Sequence, residues 1–127
     1  MKYLLDTHAI IWLIEDSPKM SSKIKEIIKL PENNIYFCTI SLWEIAIKIN
    51  LGKLKLDLSF NELLFNIRNS DFDILQVGDK HLQGLLSLPF LHKDPFDRLI
   101  ISSALAEGLT IITIDENIQK YDVPWIW

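Results

Sequence analysis

HKDPFDRLIISSALAEG, running from His92 to Gly108, is the stretch on which the fold turns. Asp94 before Pro95 reads as a helix start: the Asp side chain accepts from otherwise unpaired N–H groups, and proline at the first position has no N–H to leave unpaired. The apolar run carries that helix from Phe96 to Glu107, and Gly108 supplies a left-handed stop. A β-branched strand, Thr110 to Ile114, follows almost at once. A helix delivered straight into a strand is the unit of an α/β fold. One residue exceeds what that unit needs. Asp97 adds a second carboxylate one turn in, where it either complements the helix dipole or does chemistry.

Outward from this unit, short β-rich runs alternate with segments of helical period, the pattern of an α/β fold with a mostly parallel sheet. Strands are expected at Tyr3 to Leu5, Ile35 to Thr39, Ile74 to Val77 and Thr110 to Ile114, with the terminal PWIW as a short edge strand. Helices are expected at Ala9 to Ile14, Ser22 to Leu30, Leu42 to Asn50, Phe60 to Asn69, Lys80 to Leu88 and Phe96 to Glu107. Gly52 stands, like Gly108, where a left-handed C-cap falls, and Pro18, Pro31 and Pro89 punctuate connections. Ser41 with Glu44, and Ser59 with Glu62, each read as a capping box. No linker, repeat or low-complexity tract interrupts the pattern, so residues 1–127 read as one domain.

Composition excludes several function classes. With 13 basic and 17 acidic residues the net charge is −4, which excludes nucleic-acid binding by a broad positive surface and leaves only a local basic rim. Cys38, the single cysteine, lies in the apolar run IYFCT and reads as a buried apolar residue; with no internal disulfide possible, a cytoplasmic setting is expected. Asp6 and His8 interrupt the apolar N-terminus, so neither a signal peptide nor a membrane span is expected. Gly52, Gly78, Gly84 and Gly108 form no dinucleotide or P-loop signature.

In open parallel sheets ligands bind beyond the carboxyl ends of the strands. Asp6 follows the first strand, Glu44 lies one turn after the second, Asp97 opens the helix that feeds the fourth, and Asp115 follows that fourth strand. Thr113, Ile114 and Asp115 end an apolar strand, so the Thr113 hydroxyl and the Asp115 carboxylate, two residues apart, share a face. Each acid has a structural alternative: Glu44 as a capping residue, Asp97 as a dipole partner, Asp6 as a solvated loop residue or the first helix's N-cap. If they converge, two carboxylates about 5 Å apart repel by roughly 3 kcal/mol at an effective dielectric near 20, more than a helix cap returns. Convergence therefore calls for a cation. All-oxygen donors suit Mg²⁺ or Mn²⁺ better than Zn²⁺, and His8, His81 and His92 are too scattered to form a metal pair. Divalent ions held by carboxylates serve phosphodiester hydrolysis.

LLDTHAIIWL, SLWEIAIKINLGKL, HKDPFDRLIISSALAEGL and TIITIDENI together resemble a PIN-domain ribonuclease of the VapC toxin type, over nearly the whole chain. The resemblance implies a PIN-like fold, with a parallel sheet of four to five strands flanked by helices, and Mg²⁺- or Mn²⁺-dependent endonucleolytic cleavage of RNA. It implies a homodimer and a cognate antitoxin that occludes the site. Matched residue by residue, the family's acids fall on Asp6, Glu44, Asp97 and Asp115, with Thr113 as the hydroxyl supporting Asp115. Asp94 is read as a cap with a supporting role, and Ile114, polar in many relatives, as pointing away from the acids.

Lys48, Lys53, Lys55, Lys93 and Arg98 are candidates for flanking phosphates, set against ordinary surface charge. Trp12, Trp43, Trp125 and Trp127 invite base stacking, but packing in the core or an interface is the expectation for Trp12 and Trp43. Two rival classes stand beside the nuclease: a catalytically silent PIN-like interaction module, and a receiver-like phosphoacceptor. The receiver is disfavoured because Asp6 is followed by Thr7 rather than a second acid.

Overall fold

A computed structural model describes residues 1–127. The elements, in chain order, are β1 (Lys2–Leu5), α1 (Thr7–Ile14), α2 (Ser22–Lys29), β2 (Asn34–Cys38), α3 (Thr39–Asn50), α4 (Phe60–Arg68), β3 (Asp73–Leu75), α5 (Asp79–Ser87), α6 (Pro95–Glu107), β4 (Thr110–Ile112), α7 (Glu116–Gln119) and β5 (Trp125–Ile126). The sheet is five-stranded and wholly parallel in the order β3-β2-β1-β4-β5. The chain steps outward from β1 to β3, then returns to the other side of β1 with β4. The winding reverses at the central strand, and the carboxyl end of such a switch point is where ligands bind in open α/β sheets.

Strand alternation sorts the two cores, because successive side chains leave opposite faces. Tyr3, Leu5, Ile35, Phe37 and Ile112 pack on one face with Ile10, Ile24, Ile45, Leu63 and Ile67. Leu4, Cys38 and Ile111 pack on the other with Ile100, Ile101, Ala104 and Ile118. Cys38 is fully buried, as its apolar neighbours predict. With both faces covered, the strands can be apolar almost throughout.

The edge strand expected of PWIW forms, Trp125 and Ile126 pairing in parallel with Ile111 and Ile112. Gly108 caps α6 at φ 68°, and Gly52 follows α3 at φ 69°, both in the left-handed region. Gly84 matters for a different reason. A Cβ there would collide with Ser102 Oγ, so the bare glycine lets α5 close on α6. Ser59 accepts from the Glu62 N–H as expected of a cap.

The other S-x-x-E pair does not cap. Thr39 already lies in α3, directly after β2, which leaves Ser41 and Glu44 buried inside the helix and Cys38 as an N-cap without a side-chain bond. Strand β4 is shorter than expected, ending at Ile112, and α7 follows it where the sequence pattern shows no helix. No helix is long and apolar enough to cross a membrane.

Candidate active site at the carboxyl end of the sheet

Asp6 sits at the end of the central strand and is buried. One oxygen, Oδ1, accepts the Ala9 N–H at 2.8 Å, so the N-cap reading of Asp6 is correct; the other, Oδ2, accepts from Thr113 Oγ1 at 2.5 Å. The Thr113 hydroxyl also takes the N–H of Asp115 at 2.9 Å. The chain has therefore left the strand here, and Thr113 and Asp115 are joined by a hydroxyl-to-backbone turn instead of by strand alternation. Thr113 braces Asp6 directly and Asp115 through its backbone. Asp115 Oδ1 caps α7 at the Asn117 N–H, 2.8 Å away, and Ile114 is exposed.

Glu44 comes from α3 and is 2 % exposed. Its Oε1 accepts from Thr7 Oγ1 at 2.6 Å; the Thr7 hydroxyl pairs in turn with that of Ser41 at 3.0 Å. Its Oε2 meets the ammonium of Lys48, one turn along. Lys48 is thus committed to the carboxylates and is not a free phosphate contact. Burial works against its charge, but Glu44, joined by Asp94 and Asp97, holds the ammonium above the usual lysine range.

Asp97 arrives from the start of α6, where Asp94 Oδ1 accepts the N–H groups of Phe96 and Asp97 at 2.9 and 3.1 Å, with Pro95 at the first helical position. Both carboxylates of the motif are accounted for: Asp94 builds the helix start, and the start aims Asp97. His92 Nε2 lies 3.1 Å from Asp97 Oδ2.

The electrostatics show that these groups share one neighbourhood. Burial, opposed by the bonds from Thr113 and Ala9 and aided by Asp115 and Glu44, raises Asp6 from the usual 3.8 to about 6. Burial, then Asp94, with Asp115 and Glu44 adding against the His92 bond, raises Asp97 to about 7. All four predicted acids are brought to the same end of the sheet. As they stand, no three of the chain's His, Cys, Asp or Glu side chains are gathered closely enough to hold a metal ion. Glu44 and Asp6 each have both oxygens hydrogen-bonded, and Glu44 is the further committed because one of its partners is the Lys48 ammonium. Asp97 and Asp115 each keep one oxygen without a hydrogen-bond partner, and Asp6 keeps a second lone pair on each of its oxygens. That donor set, and the repulsion a cation would relieve, fit a hard divalent ion once side chains turn toward it.

Arg98 departs from the sequence reading. It is 6 % exposed, donates to the carbonyls of Leu88 and Pro89 and to Tyr121 Oη, and stacks over Phe90 with its Cζ 4.2 Å from the ring centroid. It ties the 88–90 loop to α6 and cannot reach a phosphate. Lys53, Lys55 and Lys93 are exposed. Trp12 packs edge-on against Trp127, as expected of a packing residue, whereas Trp43 is 57 % exposed and packs edge-on against Phe96.

His92, Tyr121, Thr7 and Ser41 were missed as site residues. No spacing signals Thr7, Ser41 or Tyr121, which are tied in by partners 29 to 37 residues away, whereas His92 lies five residues before its partner Asp97 in the stretch HKDPFDRLIISSALAEG.

The chain matches the PIN domain family over residues 3–124. No curated protein sequence matches it. Among solved structures it is similar to VapBC2 from Rickettsia felis bound to a DNA fragment from their promoter, at 23% identity and TM-score 0.76, covering 99% of this chain and 98% of that one. DNA-bound VapBC from Salmonella typhimurium is similar at 16% identity and TM-score 0.71, covering 99% and 97%. VapBC-5 of Mycobacterium tuberculosis, a member of the VapBC family of toxin-antitoxin systems, is similar at 17% identity and TM-score 0.61, covering 95% and 90%.

Proposed function

The chain belongs to the PIN domain family, and from that premise we propose that it is a Mg²⁺- or Mn²⁺-dependent endoribonuclease, the toxin of a type II toxin–antitoxin pair. The observation that carries this reading is the gathering of Asp6, Glu44, Asp97 and Asp115 at the carboxyl end of a parallel sheet, two of them driven to about 6 and 7 by burial and mutual repulsion. A purely structural cluster has no use for that repulsion.

Asp6, Asp97 and Asp115 would hold the ion, with Glu44 joining if it releases Lys48. When bound, the ion supplies Lewis-acid chemistry for phosphodiester hydrolysis. Thr113 fixes Asp6 on its strand end, Asp94 fixes the backbone of Asp97, and Lys48 offsets the excess negative charge. The bound cation also reconciles an acidic protein with a polyanionic substrate, and exposed Lys53, Lys55 and Lys93 are left to contact flanking phosphates. Exposed Phe65, Leu86 and Phe90 suit apolar contact with an antitoxin or a second copy in a cytoplasmic homodimer. The VapBC complexes among the similar structures support the antitoxin as partner.

A second reading, a PIN-like interaction module without catalysis, is favoured by the Glu44–Lys48 pair and by the absence of three side chains at ligand spacing. One experiment separates the two. Purified protein free of antitoxin is incubated with total RNA in Mg²⁺, in Mn²⁺ and in chelator, beside Asp6→Asn. Cleavage that needs the metal and Asp6 supports the nuclease; intact RNA across cellular RNA classes leaves the interaction module.

A further inference from the structure

Beyond the acids lies a chain of hydrogen bonds that none of the chemistry above uses. Tyr121 Oη is approached by three nitrogens: Arg98 Nη1 at 3.0 Å, the backbone N of His92 at 3.3 Å and His92 Nδ1 at 2.8 Å. Arg98 and the backbone N–H can only donate. They occupy both lone pairs of the phenol oxygen, so its proton has one remaining direction, toward Nδ1. Nδ1 is then an acceptor without hydrogen, and the ring's single proton sits on Nε2, 3.1 Å from Asp97 Oδ2. His92 and Asp97 are 11% and 14% exposed, so water competes little for either.

We propose that His92 is a positioning residue for Asp97: Tyr121 and Arg98 lock its neutral ring with the proton on Nε2, and that N–H holds one carboxylate oxygen so that the other, Oδ1, is presented to the metal. This rests on the reading of Asp97 as a metal ligand. Two residues then share the placing of one side chain. Asp94 sets the Asp97 backbone through its N–H, and His92 sets its terminal torsion. The same proton count excludes His92 as a ligand, because the nitrogen facing the site carries hydrogen. Arg98 acquires a role as well, since its guanidinium is one of the two donors that turn the phenol proton toward the imidazole.

The test uses the full chain, with thermal melts of the metal-free proteins as a check on folding. Ring-nitrogen NMR of ¹⁵N-histidine protein should show His92 with hydrogen on Nε2, and Tyr121→Phe should admit the other tautomer; an Nδ1–H ring in the wild type overturns the proposal. Mn²⁺ binding, followed by the paramagnetic resonance of free ion, should weaken at least tenfold in His92→Ala, the scale on which metal sites respond to loss of an orienting partner. His92→Gln, which keeps an N–H the same number of bonds from Cα, should bind within about threefold of wild type on that scale. His92→Asn, one bond shorter, should not. Wild-type affinity in a folded His92→Ala overturns the role of His92 while leaving the metal site standing. A wild-type protein that takes up no Mn²⁺ overturns the metal reading itself, and this role with it.

Discussion

Thr113 donates its hydroxyl to Asp6 across 107 residues of chain, and with the same oxygen receives the N–H of Asp115. One buried hydroxyl thus joins the end of β4, the end of β1 and the start of α7. Thr113→Val keeps the shape and removes both bonds. Asp6 loses the donor that favours its charged form, and the Asp115 N–H loses its acceptor. Unsatisfied buried groups cost about 1–3 kcal/mol each, so a loss of about 2 kcal/mol is expected by urea denaturation, with RNA cleavage reduced. Thr113→Ser should recover most of both. Full activity in the Val variant would show that the hydroxyl serves stability alone.

The raised carboxylates dictate how stability follows pH. Asp6 and Asp97 bind protons more tightly folded, at about 6 and about 7, than unfolded near the usual 3.8. Between those values the folded state holds more protons, so the slope of unfolding free energy against pH is negative. In chelator, stability should fall as pH rises from about 4 to about 7 and level off above. A divalent ion competes with those protons, so its stabilisation should grow over the same window. Melting temperatures in EDTA and in Mn²⁺ from pH 5 to 8 check both signs. An EDTA curve that shows no fall through this range would mean that the two acids titrate normally.

The sequence made the α/β order, the strand-end acids and the helix start at Asp94 legible, because local rules govern each of them: periodicity, cap chemistry and position after a strand. Long-range partners decide the rest. Ser41 with Glu44 satisfies a capping pattern, yet β2 runs directly into α3 and both side chains turn inward to Thr7. Arg98 looks like any surface arginine until Leu88, Pro89 and Tyr121 surround it. The strand expected to reach Ile114 stops at Ile112 because Thr113 turns to Asp6, a bond no local pattern encodes. Glu44 lies toward the other acids, but its ion pair with Lys48 is written four residues away as an ordinary helical spacing and becomes visible only when burial is known.

Asp94 and Asp97 should separate cleanly by substitution. Asp94→Ala removes the cap from two N–H groups, and loss of an N-cap costs about 0.5–2 kcal/mol. Its activity should fall only as far as the helix start shifts Asp97. Asp97→Asn removes a charge that burial and Asp94 disfavour, so metal-free stability should be unchanged or higher while cleavage is abolished. Denaturation in chelator and RNA cleavage measured on the same two proteins decide the matter. Stability lost with cleavage intact in Asp97→Asn would return that residue to the role of a first-turn acid, for which the expected cost is up to about 1 kcal/mol.

Arg98 tests whether a charge near an acidic site serves the substrate or the fold. Its guanidinium donates to two loop carbonyls and the Tyr121 phenol, and lies over Phe90. Replacing it with Met preserves length and apolar bulk but leaves those acceptors without their donors, the situation in which single substitutions reach about 3 kcal/mol or more. Arg98→Lys should also be costly, because one ammonium cannot span acceptors that the planar fork reaches together. The salt dependence of RNA binding to a catalytically disabled Asp6→Asn protein should be the same with and without Arg98→Met at a temperature where both are folded. A phosphate contact would instead lower the slope of log affinity against log salt by nearly one. Unchanged melting together with that shallower slope would place Arg98 on the RNA after all.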